Sequence, residues 1–211
     1  MRNLERFDGA LLHVYGYKEA KITPTASERP AMRERLVIAA GRELQKRGLI
    51  DNVVVSGGAM LGRNEPLSEL AAEDFERKTN IESKNMYIKS TAPTTTSGEL
   101  KSLREEARNH GWNNLLSISW GIHKPRVEVL IKKIFKKTKM KLTTLSAEEI
   151  LTTLPEPRNQ ERYGRIIEGI HNSESEKKWE AYEKKILPLM KIPFGSQLLD
   201  FISRAYRPKA D

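Results

Sequence analysis

Asn52-Val53-Val54-Val55-Ser56-Gly57-Gly58 reads as a strand that is apolar on both faces and stops at a glycine turn. Three consecutive valines leave no polar face, which suits a central strand of a parallel sheet covered by helices on both sides. Outward from it, Ala10–Tyr15, Asn85–Lys89, Asn114–Ser119 and Met140–Leu145 are further short apolar runs. The stretches between them carry apolar residues at helical spacing. Ala31–Arg47 places Met32, Leu36, Ala39, Ala40 and Leu44 on one face and stops at Gly48. Pro66 opens a stretch with Leu67, Leu70, Ala71 and Phe75 on its apolar side. Ser97–His110 carries Leu100, Leu103 and Ala107 and ends at Gly111, and Pro125–Lys137 carries Val127, Leu130, Ile131 and Ile134. Strands and helices in alternation predict an α/β fold: a Rossmann-like three-layer α/β/α arrangement, doubly wound on a mainly parallel sheet of about five strands.

From about Glu148 the alternation stops. Leu154-Pro155-Glu156-Pro157 is a break, and helical patterns come after it near Gln160–His171, Glu174–Met190 and Ser196–Tyr206. Ser173 and Glu176 have the spacing of a capping box for the middle one. The division expected is therefore a Rossmann-like domain over residues 1–150 and a C-terminal helical extension over residues 151–211. That extension either packs on the domain or serves as the arm of a homo-oligomer.

Composition narrows the classes of function. The 211 residues include no cysteine, so disulfides, thiolate zinc sites and a thiol nucleophile are excluded. Met1–Asp8 has no apolar run of the signal-peptide kind, and no stretch is apolar enough to span a bilayer, so a cytoplasmic location is expected. A net charge of +9 favours anionic partners.

In an open parallel sheet, ligands bind beyond the carboxyl ends of the strands. The loops there are Gly16-Tyr17 with the polar stretch to Arg29, Ser56-Gly57-Gly58 with the later Ser68-Glu69, Thr94-Thr95-Thr96-Ser97-Gly98-Glu99, and Trp120-Gly121-Ile122-His123-Lys124-Pro125-Arg126. Each is rich in glycine or hydroxyl groups and leads into a helix N-terminus, where free N–H groups and the helix dipole favour anions. Taken singly, these residues are also ordinary turns, helix caps and first-turn charges. Their convergence on one edge is what suggests a polar pocket for a phosphate or pyrophosphate.

The ordered succession of Val53-Val54-Val55-Ser56-Gly57-Gly58, Ser68-Glu69, a Thr-rich segment ending in Glu99, and His123-Lys124-Pro125-Arg126 resembles the YdcF/SanA/ElyC-like family, which is built on a domain of unknown function. The resemblance runs from roughly Gly9 to Phe135. It implies a cleft containing Ser56, Gly57, Gly58, Ser68, Glu69, Thr96, Glu99, His123 and Arg126, with a basic residue of the first helix, Arg33 or Arg35, beside it.

The leading expectation is an enzyme of hydrolase or transferase type, acting on a phosphate-bearing small molecule or nucleotide-like ligand. His123, Glu69 and Glu99 are its candidate catalytic residues, because a histidine titrates near neutrality and a carboxylate can orient a hydroxyl, water or divalent cation. Gly16, Arg33, Ser56, Gly57, Gly58, Ser68, Thr95, Thr96 and Arg126 are the candidate phosphate-binding residues. No dedicated metal ligands are assigned; Mg²⁺ held by a carboxylate together with the substrate phosphate, or S-adenosylmethionine, are the cofactors such a cleft admits. Two alternatives stand beside it. One is a non-catalytic nucleotide- or S-adenosylmethionine-binding module. The other is nucleic-acid binding through the basic run from Lys132 to Lys141, which also fits a solvated helix end.

Overall fold

Val53, Val54 and Val55 are fully buried in the middle of a five-stranded, all-parallel sheet. The computed structural model describes residues 5–14, 17–18, 29–30, 32–58, 66–76, 85–91 and 95–192. Over these, the elements run β1 Phe7–Leu12, β2 Tyr17–Lys18, β3 Arg29–Pro30, α1 Met32–Lys46, β4 Ile50–Ser56, α2 Leu67–Glu76, β5 Met86–Lys89, α3 Thr96–His110, β6 Asn114–Ser119, α4 Lys124–Ile134, β7 Lys141–Ser146, α5 Ala147–Leu151, α6 Pro157–His171 and α7 Glu174–Lys191. A 3-10 turn, Gly121–His123, joins β6 to α4. The sheet order is β5-β4-β1-β6-β7, and β2 and β3 form a separate two-residue antiparallel pair. Counting only the five sheet strands, the order is 3-2-1-4-5, with the reversal between β4 and β6 on either side of β1.

The two faces of the sheet bury different helices, as side-chain alternation along each strand requires. Ala10, Leu12, Val53, Val55, Leu116 and Ile118 face α1, α2, α5 and α6, where Leu36, Phe75, Ile150 and Ile167 complete one core. Leu11, Val54 and Leu115 face the other way, onto Leu100 and Leu103 of α3, Leu130 of α4 and Met190 of α7. The expected three layers are present. So are the helices read from periodicity, each within a few residues of its expected bounds, except for Ser196–Tyr206, which lies outside the described residues.

Two boundaries differ for identifiable reasons. β1 begins at Phe7, three residues before the apolar run, and takes in Asp8 and Gly9. Neither is a strand-forming residue. Asp8 is there because its carboxylate accepts the backbone N–H groups of Asn113 (2.8 Å) and Asn114 (2.9 Å), tying the start of β6. Gly9 is there because a Cβ would lie 2.7 Å from the Trp112 ring. The short α5 was not expected. Ser146 and Glu149 form a complete capping box around its start, enough to nucleate five residues at the end of β7.

Gly9→Ala therefore meets an aromatic ring it cannot pass, whereas Gly164→Ala, inside α6 with open space around its Cβ, only removes a helix-weakening glycine. The expected results in chemical unfolding are a loss of about 1–3 kcal/mol for the first and a gain of about 0.5–1 kcal/mol for the second.

Candidate functional site

The polar residues at the carboxyl edge of the sheet lie on the α3 side, and α3 answers them one by one. Glu99, in its first turn, accepts from His13 Nδ1 at 2.6 Å, just beyond β1. Ser102 receives the Ser56 hydroxyl of β4 at 3.0 Å and passes its own to the Gly98 carbonyl. Glu106 pairs with Lys89 of β5. His13 Nε2 lies 2.9 Å from Ser117 Oγ of β6, so the ring links β1, β6 and α3. Hydroxyl, imidazole and carboxylate are linked in the order of a hydrolase triad. However, Ser117 and His13 are fully buried within the sheet layer, so among the described residues the trio ties β1, β6 and α3 together with its hydroxyl shielded from solvent. Burial pushes the Glu99 carboxyl above its ordinary range, opposed by His13 and then by the charge of Arg126.

The second group gathers where β6 turns into α4. Trp120, fully buried, ends the strand, and the 3-10 turn brings His123 and then Arg126 inward from the first turn of α4. Four donors of this stretch meet carboxylates from farther along the chain. The Gly121 N–H donates to both oxygens of Glu148 in α5, at 2.9 and 3.0 Å. Trp120 Nε1 donates to Glu176 Oε1 in α7 at 2.6 Å, and Arg33 Nε of α1 stands 3.4 Å from the other oxygen. His123 Nδ1 lies 2.7 Å from Glu183 Oε1, also in α7, and Arg126 Nη1 reaches the same oxygen at 3.1 Å. Arg126 Nη2 is also 3.3 Å from His123 Nδ1. Arginine only donates, so Nδ1 cannot accept from it while donating to Glu183; the shorter, charge-assisted contact governs. Trp179 of α7 completes the cover, with the Arg33 guanidinium 5.5 Å from its ring and His123 edge-on at 6.0 Å.

The structure thus brings Arg33, Glu99, His123 and Arg126 into one electrostatic neighbourhood, since Arg126 acts on Glu99 and both arginines act on His123. It engages the other expected residues differently. The Ser68 hydroxyl donates to the Gly57 carbonyl (2.9 Å), and the Gly57 N–H donates to the Lys89 carbonyl (3.2 Å). Gly57 itself has φ 144°, a value that requires glycine. The Gly58 carbonyl accepts from Leu67 N. Thr95 is the N-cap of α3, its Oγ1 accepting from Gly98 N at 3.1 Å, and Thr96 is buried in the first turn. Glu69 is exposed on the first turn of α2. Gly16 lies outside the described residues. In the basic run, Lys132, Lys133, Lys136, Lys137, Lys139 and Lys141 are all exposed; Lys133 caps the Met190 carbonyl and Lys141 pairs with Glu5.

Sequence reading gave no site role to His13, Trp120, Glu148, Glu176 or Glu183. Glu176 was seen only as a capping-box partner. Ser173 does accept from its N–H at 3.2 Å, but the Glu176 carboxylate has turned away to Trp120 and Arg33. The available signal was the spacing of Glu176 and Glu183, seven residues apart and so on one face of α7. Comparison with protein-family models, with curated proteins and with solved structures finds no match.

Burial holds the His123 imidazolium down to a value of about 4, with the Glu183 hydrogen bond pulling upward and the Arg126 charge pushing down. The folded value lies below the ordinary 6.5. As pH falls through 6.5 the unfolded chain therefore takes up this proton first, and native stability is lost progressively toward pH 4. Urea unfolding at pH 7 and pH 5 should show the native chain losing about 2 kcal/mol more than His123→Gln across that interval. Equal losses would show that His123 is not held neutral.

Proposed function

We propose that the chain binds a phosphate-bearing small molecule or nucleotide-like ligand at the carboxyl edge of the sheet, over the β6–α4 loop, and acts on it by hydrolysis or group transfer. One observation carries this reading: the donors of that loop and its neighbour Arg33 are arranged to hold anions. The Gly121 N–H, the Trp120 N–H, His123 and Arg126 each hold a carboxylate oxygen. Donors that satisfy a carboxylate satisfy a phosphate oxygen by the same charge-assisted contacts. They sit beside the reversal of strand order, where open α/β sheets bind ligands.

His123 is the proposed acid–base residue. Neutral at physiological pH, it serves first as the acceptor of a proton from a hydroxyl or water, with Arg126 beside it to hold the charge that develops on phosphate oxygens. Glu99 is a positioning residue in this reading: its carboxyl fixes the His13 ring and lies within reach of the Arg126 charge. The YdcF/SanA/ElyC-like resemblance supports the same edge, because His123-Lys124-Pro125-Arg126 is among the motifs that carry it.

The test is a thermal-shift panel of pyrophosphate, nucleotides, sugar phosphates and S-adenosylmethionine, each with and without Mg²⁺. A ligand at about a hundred times its dissociation constant adds about 2.7 kcal/mol of stability. The expected outcome is a stabilising phosphate compound whose effect disappears in Arg126→Gln, together with turnover that His123→Gln abolishes. Stabilisation without turnover assigns a binding module. No shift from any member of the panel, with salt-sensitive binding to RNA, overturns the proposal in favour of the lysine run.

A further inference from the structure

α7 is held to the rest of the protein in two different ways along its length. Its C-terminal half is anchored by apolar packing, with Ile186 and Met190 buried. Its first ten residues bury no apolar side chain. What they bury are Glu176 and Glu183, 3% and 6% exposed, while Trp179 and Tyr182 stay nearly half exposed. That half rests on two carboxylates and one aromatic ring laid over Arg33, Trp120, His123 and Arg126.

The fit is incomplete at both ends. Glu176 Oε2 is buried yet makes no hydrogen bond, since Arg33 stops at 3.4 Å. A groove of about 200 Å³ runs alongside Arg126 and Glu183, walled by Ile122 and Pro125 on the α4 side and Leu187 on the α7 side. Desolvating two carboxylates is costly unless their partners satisfy them fully. Here the partners come from α1, the β6–α4 loop and α4, all set by the sheet, whereas the carboxylates come from a helix with little apolar hold of its own at that point.

We propose that α7 is an internal carboxylate strap: Glu176 and Glu183 occupy the two basic subsites that a phosphate-bearing ligand uses, so that ligand and strap exclude one another. The inference rests on the anion site proposed for the β6–α4 loop and adds its regulation. Two helical turns separate the carboxylates, about 10 Å along the axis, so the strap covers an Arg33–Trp120 subsite and a His123–Arg126 subsite at once. A ligand bearing one phosphate displaces the Glu183 end. One with anionic groups at both ends displaces the whole N-terminal half. Until then the loop is charge-balanced and closed.

The experiment uses the full chain and inorganic pyrophosphate. Binding is measured by calorimetry for the native protein and for Glu183→Gln, and amide hydrogen exchange is monitored in residues 174–183 with and without the probe. The expected result is binding about tenfold tighter in Glu183→Gln, because the competing carboxylate is gone, together with faster exchange around Glu183, the end that a compact ligand displaces, in the native protein at saturation. Equal or weaker binding in Glu183→Gln with unchanged exchange overturns the strap and leaves the anion site standing. No binding to either protein overturns both. Exchange is read on the native chain, so the outcome does not depend on the variant folding.

Discussion

A charge removed from water must meet an opposite charge or a set of donors, and the region around the β6–α4 loop is organised by that requirement. His123 and Arg126 reach the interior because the 3-10 turn after Trp120 and the start of α4 point them there. Once there Arg126 needs an anion, and so does Arg33, while the neutral His123 ring needs an acceptor for its N–H. The chain supplies anions from its own last third: Glu148 from α5, then Glu176 and Glu183 from α7. The sheet and the C-terminal helices are therefore joined by charge pairing over the very loop to which sequence reasoning assigned an anion. The overall charge of +9 is consistent with this division, with carboxylates turned inward at the loop and lysines left on the surface from Lys132 to Lys141. Among the described residues, no helix is long and apolar enough to cross a membrane.

The fold was legible because it is written in short-range pattern. The valines of β4, the helical spacing of α1 to α4 and the stop at Gly111, with φ 70°, each report on neighbours within a few residues. Where the pattern failed, the reason was long-range. Asp8 and Gly9 belong to β1 on account of residues more than a hundred positions away, Asn113, Asn114 and Trp112. The candidate site was legible in the same limited sense. His123 and Arg126 were visible as a loop motif, but their partner Glu183 lies sixty positions beyond His123. Nothing local distinguishes it from the other glutamates of a charged helix.

Several hydroxyls that looked like ligand groups turn out to be engaged internally. Thr95 holds the backbone at the start of α3, Ser68 holds the Gly57 carbonyl just beyond β4, and Ser56 reaches across to α3. Small polar residues at the ends of strands satisfy backbone groups that would otherwise be orphaned, and the same chemistry would serve a phosphate. His123 and Arg126 differ from Ser68 and Thr95. Their hydrogen-bond partner is a side chain from another part of the chain, which can be exchanged without undoing a turn.

The pairs along α3 have a further consequence. Glu99 meets His13 just beyond β1, Ser102 meets Ser56 on β4, and Glu106 meets Lys89 on β5, so three successive turns of one helix are matched to three adjacent strands. Greasy side chains alone would let the helix ride to another seat on the sheet at modest cost. These partners act like the wards of a lock, admitting one seating and penalising every slip by stranding an acid or a base in the dry. Drift at any one of the three positions should then be tolerated only with a matching change across the gap, which makes this seam slow to diverge.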